Sequence, residues 1–378
     1  MIPPLVTRVD ILGNKELVVV FNERMDSVNA VLGSVITLSG RNIIKRQLAL
    51  PVFHNLILTL DSPLLEGREY VLNIRNISDC AGNLLRESNH ILALPSQADS
   101  GDIVINEILF NPREGGVDFV ELNNKSRKYI SLNNWALGNT KNGEPNVFSI
   151  ITTDQVIMPP NSYLALTTEP SVVKEQYPVD RPQNFLEMAS FPAYSNVGGG
   201  VILRDNNLRL SDKFIYSEEM HHELLSDVKG VSLEKTDAEK TSADLSNWHS
   251  AAATVGYATP GYANSQMLTD MPEDVFTVEP EAFTPDNDGL DDYTIIRYSQ
   301  SVTGRIAALR IYNISGRLIR NMIDNQLIGT TGEIRWDGTD DHGQLVPTGY
   351  YLLLVDTFDT TGNKQQFKKR VIVARKGK

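Results

Sequence analysis

The sequence predicts an all-β protein made of three consecutive β-sandwich domains joined by short linkers. Short runs rich in β-branched residues alternate in period two, and Gly, Asn and Pro turn signals separate them at close spacing. Helical periodicity is nearly absent, and residues 170–177 form the one stretch that predicts a helix. The chain has 378 residues, of which 41% are apolar and 22% charged, so each domain is large enough to bury its own core.

The first predicted domain covers residues 1–95. Its strand-like runs are residues 17–21, 35–38, 55–60 and 70–74. The segments 21–26, 63–70 and 77–83 together resemble bacterial Ig-like domains of the S-layer type. The resemblance implies an Ig-like sandwich that acts as a spacer.

The second predicted domain covers residues 101–265 and follows a polar linker at residues 95–101. Five landmarks occur in it in a fixed order: residues 101–112, 118–124, 135–138, 230–235, and 246–250 with 258–264. This order resembles a bacterial lamin-tail domain. The resemblance implies another Ig-like sandwich, and a structural or docking module rather than an enzyme.

The third predicted domain covers residues 275–378, after a second polar linker at residues 266–273. Its landmarks are residues 282–292, 309–317, 336–344, 349–354 and the basic stretch 368–376. They resemble the Ig-like domain of flagellar-hook-capping proteins and the gliding-motility and type IX secretion C-terminal domains of Bacteroidota. The resemblance implies a third Ig-like sandwich that serves secretion or anchoring.

Charge and composition exclude several classes of function. The net charge is −12, and residues 96–265 alone carry −9, which argues against nucleic-acid binding and against anionic membranes. No apolar run approaches the roughly 18 residues that would suggest a transmembrane segment. Cys80 is the single cysteine, so no internal disulfide is possible. Since residue 1 leads straight into a strand pattern without a signal peptide, the chain is either cytosolic or a processed or trimmed piece; the family resemblances favour the second.

The strongest metal candidate is the acidic segment at residues 286–292. Asp286, Asp288, Asp291 and Asp292 surround Gly289, and such alternating carboxylates suit calcium, with the glycine allowing a sharp bend. The full EF-hand pattern is absent because the loop is short and lacks a glutamate at its twelfth position. The alternative is an Asx-rich turn between strands.

Other residues that bear chemistry have structural interpretations. Adjacent residues on a strand point to opposite faces, so His221 and His222 do not easily hold one ion. Glu107 and Glu121 lie on strands that the lamin-tail resemblance would pair, where they either act as an acid–base pair or bond nearby amides and hydroxyls. The three tryptophans each lie beside a turn, which favours core packing over stacking on a sugar: Trp135, Trp248 and Trp336.

Together these observations predict a non-enzymatic structural or interaction protein at the outer membrane surface or outside the cell. Its C-terminal domain would serve export or docking, with protein partners at the bacterial outer membrane or in the secretion machinery. One alternative is an adhesin or glycan-binding protein. Another is the non-catalytic part of an extracellular hydrolase system.

Overall fold

The computed structural model describes residues 3–268 and 273–375. About 47% of the chain is strand and 6% helix, which confirms the predicted all-β class of Ig-like sandwiches. Residues 1–2, 376–378 and half of the predicted second linker, 269–272, lie outside the described residues.

The chain divides into two compact units. The first comprises residues 1–99, 126–134 and 152–161, and the second comprises residues 100–125, 135–151 and 162–378. Two segments of the predicted second domain therefore belong to the first unit. The division into three domains at residues 1–95, 101–265 and 275–378 stays a prediction.

The strands follow one another in chain order. The first thirteen are β1 (Val6–Ile11), β2 (Glu16–Phe21), β3 (Val35–Leu38), β4 (Ile43–Leu48), β5 (Asn55–Leu60), β6 (Glu69–Ser78), β7 (Leu84–Ala93), β8 (Ile103–Leu109), β9 (Phe119–Asn124), β10 (Ile130–Ser131), β11 (Ala136–Lys141), β12 (Glu144–Ile150) and β13 (Ile157–Met158). The others are β14 (Ser162–Thr167), β15 (Phe185–Glu187), β16 (Gly198–Arg204), β17 (Leu210–Ser217), β18 (Leu233–Lys235), β19 (Trp248–Ser250), β20 (Val275–Glu279), β21 (Ala282–Phe283), β22 (Thr294–Ser299), β23 (Ile306–Asn313), β24 (Leu318–Leu327), β25 (Thr331–Trp336), β26 (Gly349–Phe358) and β27 (Lys364–Val373).

Among the residues that the structure describes, helical structure is confined to one short α-helix and a few turns. The helix α1 (Pro170–Gln176) lies where the sequence predicts it and begins with a proline, whose fixed φ suits the first helical turn. The turns are 3₁₀-helical at Glu218–Met220, Leu245–Asn247 and Ala253–Val255, and π-helical at Asn29–Gly33.

The first unit contains an antiparallel sandwich. One sheet has the strand order β1-β2-β5-β4 and the other β3-β6-β7, with a small β10-β13 pair beside them. Alternation along β5 shows how the sequence builds it: Leu56, Leu58 and Leu60 are buried, while the residues between them are partly exposed. Side chains of this kind from both sheets form one continuous core.

The second unit begins with a sandwich of sheets ordered β12-β11-β16-β17 and β15-β14-β9-β8-β18-β19. Every residue of β8 and β9 is buried, polar ones included. Strands covered on both faces need not alternate in polarity, so their polar side chains must find partners inside the protein. Helix α1 covers part of this sandwich, with Val173 packed against Leu109 and Phe119.

The second unit continues with a sandwich of sheets ordered β20-β22-β25 and β21-β27-β26-β23-β24. Trp336 is completely buried between them, in edge-to-face contact with Phe283 and Tyr351. Trp135 and Trp248 are also buried, at 2% and 3% exposure. The predicted core role of the three tryptophans is confirmed.

Candidate functional site

Three glutamates form a row across the centre of the six-stranded sheet. Glu107 on β8 is register partner of Glu121 on β9 and of Glu234 on β18. All three have 0% exposure. Like charges at directly opposite positions destabilise a sheet, so this glutamate row exists only because other groups compensate it.

The compensation comes from residues 258–266, here called the closing segment, which follow β19 along the chain. One backbone amide of this segment donates to each glutamate. The bonds run from Thr259 N to Glu107 Oε1 (2.9 Å), from Gly261 N to Glu121 Oε2 (2.5 Å) and from Gln266 N to Glu234 Oε2 (2.9 Å). Hydrogen bonds to charged groups are among the stronger ones in proteins, so the row fixes the course of the closing segment.

Side chains complete the hydrogen bonding of the row. Their donors are Ser232 Oγ to Glu107 Oε1 (2.5 Å), Asn106 Nδ2 to Glu121 Oε1 (2.8 Å) and Ser265 Oγ to Glu234 Oε2 (2.8 Å). With the bonds that Thr259 makes, all six carboxyl oxygens have a partner.

The position of the Thr259 hydroxyl, between two carboxyls, favours a proton on the row. Thr259 Oγ1 lies 2.7 Å from Glu234 Oε1 and 3.2 Å from Glu107 Oε2, but a hydroxyl has only one hydrogen to donate. Both bonds form together only if one carboxyl is protonated and donates to Oγ1. With a proton on one of these two carboxyls, that carboxyl donates to Oγ1 while Oγ1 donates to the other.

The electrostatics agree with this protonation. Burial, and then the charge of Glu234, raises the pKa of Glu107 from 4.5 to about 8. Burial, followed by the charge of Glu107, raises the pKa of Glu121 well above its usual value, and burial raises the pKa of Glu234. The carboxyls repel one another in a dry interior, which favours their neutral forms.

This arrangement is suited to holding a segment in place. The predicted pairing of the strands that carry Glu107 and Glu121 is confirmed, and both glutamates accept hydrogen bonds from protein donors, as the amide-and-hydroxyl interpretation expects. Sequence reasoning missed Glu234. Glu234 lies within the landmark 230–235, and the residues on either side of it belong to the other face of the strand. Only the sheet order shows that Glu234 joins the row.

The closing segment also reaches the sandwich formed by β20–β27. Ser265 O accepts from Thr330 N at 2.8 Å. The fully buried Gln266 donates from Nε2 to Ile328 O and accepts at Oε1 from Gly304 N, both at 3.1 Å. One short segment thus links the glutamate row of the first sandwich in this unit to the backbone of the next one.

The prediction placed the two adjacent histidines on a strand, but they follow the 3₁₀ turn Glu218–Met220, and their rings have different partners. His221 is buried and its Nδ1 lies 2.9 Å from Ser250 Oγ. His222 Nε2 lies 3.1 Å from Gly304 O, so this ring contributes to the same junction as Gln266. Burial lowers the pKa of His221 to about 4, which keeps its ring neutral.

The acidic segment forms a tight loop between β21 and β22. Asp286, Asp288 and Asp292 each place a carboxylate oxygen within 4.8 Å of the other two, while Asp291 is not in this group. Gly289 has φ +88° and donates its amide to Asp292 Oδ2 at 2.8 Å, as the predicted sharp bend requires. Within residues 3–268 and 273–375, Asp292 Oδ1 is a buried atom without a hydrogen-bond partner. Three converging oxygens fit part of a calcium shell of six to eight.

Comparison with known families matches two segments of the chain. Residues 96–217 match the family model of the Lamin Tail Domain, and residues 277–373 match that of the CHU_C Type IX secretion signal domain. The chain carries a lamin tail domain followed by a type IX secretion signal domain. The glutamates of β8 and β9 belong to the lamin tail domain, and the acidic loop belongs to the signal domain.

Solved structures offer only faint likenesses. The S-layer protein SbsC is 10% identical, with 100% of this chain and 55% of that chain covered and a TM-score of 0.23. PorU from Porphyromonas gingivalis is 12% identical, with coverages of 96% and 30% and a TM-score of 0.22. PorZ, a surface component of the type IX secretion system of P. gingivalis, is 12% identical, with coverages of 98% and 75% and a TM-score of 0.23. The chain spans about half the length of SbsC and under a third of PorU, and scores this low support no conclusion. A search of curated proteins finds no match.

The two assigned domains place the protein in a broad class. Lamin tail domains and type IX signal domains are non-catalytic kinds of domain, and the signal domain points to an extracellular or cell-surface location. Among the described residues, no helix is long and apolar enough to span a membrane.

Proposed function

We propose that this protein is a non-enzymatic structural or interaction protein of the bacterial surface, whose signal domain serves export or docking to an outer-membrane assembly. The observation that carries the proposal is the match of residues 277–373 to the type IX secretion signal domain. The partners would be proteins of the outer membrane or of the secretion machinery.

The site geometry supports a mechanical role for the lamin tail domain. The glutamate row uses its oxygens to fix the closing segment, and the closing segment binds the signal domain through Ser265 and Gln266. Such a connection would transmit the position of an anchored signal domain to the lamin tail domain. All three tryptophans are buried, so the adhesin alternative lacks a tryptophan face on which a sugar could stack.

The test is a deletion of residues 277–373 from the tagged protein in its native cell, with surface exposure measured by protease treatment of intact cells. We expect the truncated protein to be retained inside the cell. A matched deletion of residues 1–95, the predicted spacer, should leave export intact. Surface exposure of the truncated protein at the normal level would refute the proposed role of the signal domain.

We also propose that the acidic loop binds calcium through Asp286, Asp288 and Asp292. A ligand that binds only the folded state stabilises it by about 2.7 kcal/mol at a concentration 100 times its dissociation constant. Millimolar Ca²⁺ should therefore raise the thermal midpoint of the signal domain, and Asp292→Asn should abolish the rise.

Asp291→Asn is the matched control for the calcium proposal because Asp291 lies in the same loop but outside the group of three. We expect this variant to keep the calcium response. If it loses the response as completely as Asp292→Asn, the four-residue set that the sequence predicts is the right one. No response of the wild type to Ca²⁺ would leave the loop as an Asx-rich turn.

A further inference from the structure

The outer face of the five-stranded sheet in the signal domain departs from the usual pattern of a solvated antiparallel sheet. Strand β26 carries Tyr351, Leu353 and Val355 on its inner face, with 5% exposure or less. Its outward positions from Tyr350 to Leu354 are also apolar, with Tyr350 and Leu352 at 56% and 40% exposure, and the charged Asp356 follows them. A strand that is apolar on both faces is typical of sheets covered on both sides.

Neighbouring strands extend this apolar surface. One row of residues crosses four strands. Leu352 on β26 is register partner of Tyr312 on β23 and of Arg370 on β27. Tyr312 in turn is register partner of Leu318 on β24. Leu318 is 43% exposed. Next to this row, Tyr350 lies opposite Ile372. We call this surface the outer face: Tyr312, Leu318, Tyr350, Leu352 and Ile372.

The other sheet of the same sandwich has a more polar outer surface. The exposed positions of β25 are Thr331, Glu333 and Arg335, and Glu333 pairs with Arg297 on β22 at 2.6 Å. The exposed positions of β25 are thus polar or charged, whereas the part of the five-stranded sheet around Leu352 exposes aliphatic and aromatic side chains. Further along that sheet, Arg310 lies 3.6 Å from Asp324 and 3.8 Å from Asp356. A contiguous exposed apolar patch marks an interaction surface.

The border of the outer face is basic. Residues 364–375 contain five basic and no acidic residues in a chain whose net charge is −12. Lys364, Lys368 and Arg370 are the exposed members along β27, and Lys368 and Arg370 are register partners of Leu354 and Leu352. A complementary surface has apolar side chains at its centre and carboxylates at one side.

We propose that the outer face is the surface by which the signal domain docks on a protein partner, and that this partner presents an apolar patch bordered by carboxylates. The inference rests on the proposed function and identifies the surface and the partner chemistry that this function uses. A protein suits the face better than an anionic membrane does, because the chain as a whole is strongly acidic and a lipid surface would repel it.

The experiment measures surface exposure of the full-length protein in its native cell for two kinds of variant. Leu352→Glu places a charge in the centre of the outer face, and the double variant Lys368→Glu with Arg370→Glu reverses the border. All three positions are exposed, so the fold should tolerate the changes. Loss of a central contact worth about 1.4 kcal/mol weakens binding tenfold, and we expect the exported fraction to fall accordingly.

Val275→Glu is the matched control, since Val275 is 38% exposed on the opposite sheet of the sandwich. It should be exported normally. Thermal unfolding of the purified proteins checks the fold, and if Leu352→Glu fails to fold, the charge-reversal variant decides. Normal export of that variant, together with retention of the 277–373 deletion, overturns the docking face but leaves the proposed function intact. Normal export of the 277–373 deletion variant would refute both the docking face and the proposed function.

Two further measurements distinguish other occupants of the outer face. Purified protein is mixed with vesicles of phosphatidylcholine and phosphatidylglycerol, and its mass is measured by analytical ultracentrifugation. We expect neither vesicle binding nor dimerisation. Vesicle binding that the charge reversal abolishes would replace the protein partner with an anionic lipid. A dimer that Leu352→Glu dissociates would replace it with a second copy of this chain.

Discussion

At the scale of single residues, Thr259 has the most consequential position in the molecule. Its amide bonds Glu107, and its hydroxyl lies between Glu107 and Glu234. Without this hydroxyl, two buried carboxyls lose a partner, and an unsatisfied buried polar group costs about 1–3 kcal/mol.

We therefore predict that Thr259→Val lowers the free energy of local unfolding of the closing segment by about 2 kcal/mol. Hydrogen exchange of a peptide that covers residues 258–266 measures this, because the amides of Gly261 and Gln266 are bonded to the row. Thr259→Ser keeps the hydroxyl and should retain most of the protection. Equal exchange in the valine and serine variants would show that the hydroxyl does not support the segment.

The pKa of Glu107 predicts how stability depends on pH. Its pKa is about 8 in the folded protein against 4.5 for an ordinary glutamate, so the folded state binds the proton more tightly. The stabilisation that this proton provides is complete below pH 4.5 and is lost as the pH rises through 8. The tyrosines facing the row keep neutral rings in this range, since burial raises the pKa of Tyr163 and Tyr177 to about 12.

We expect the thermal midpoint of the lamin tail domain to fall as the pH rises from 4.5 to about 8 and to level off above that. Glu107→Gln should flatten this decline, because an amide stays neutral at every pH and still accepts from Ser232 and Thr259. Calorimetry over this pH range measures the effect. A decline as steep in Glu107→Gln as in the wild type would assign the pH dependence to other groups.

At the scale of elements, the strand patterns in the sequence predicted the sheets more completely than they predicted the glutamate row. Alternating leucines identified β5, and the proline at residue 170 identified the start of α1. The glutamate row was only partly predictable, because period-two patterns show which residues share a face but not which strands are neighbours. Strand β18 follows β17 in the chain but lies beside β8, and this sheet order brings Glu234 to Glu107.

The junction between the two domains depends on a close backbone approach at Gly329. A Cβ atom at this position would lie 2.6 Å from Ser265 O, which is closer than a real carbon contact allows. We predict that Gly329→Ala displaces the closing segment from the signal domain, at a cost of about 1–3 kcal/mol typical of overpacking.

Hydrogen exchange at Thr330 tests the junction, because its amide donates to Ser265 O. Exchange there should accelerate in Gly329→Ala. Thr331→Ala, an exposed change two residues further along, should have no such effect. Unchanged protection of Thr330 in the glycine variant would mean that the junction adapts to the added carbon.

At the scale of the whole molecule, the parts that were predictable from sequence are the all-β class and the two recognised domains. The link between those domains was not predictable, since a polar stretch between sandwiches is typical of a free linker. Gln266 lies at the start of that stretch, yet it is fully buried and bonded to the signal domain. Its burial depends on loops at residues 304 and 328–330, which are distant in sequence.

The central claim is that the signal domain takes this protein to the cell surface. The most direct measurement is the fraction of full-length protein that a protease added to intact native cells digests, compared with the same fraction after deletion of residues 277–373. Our account predicts that most of the full-length protein is digested and that the truncated protein is protected. Protection of both proteins, or digestion of both, would contradict it.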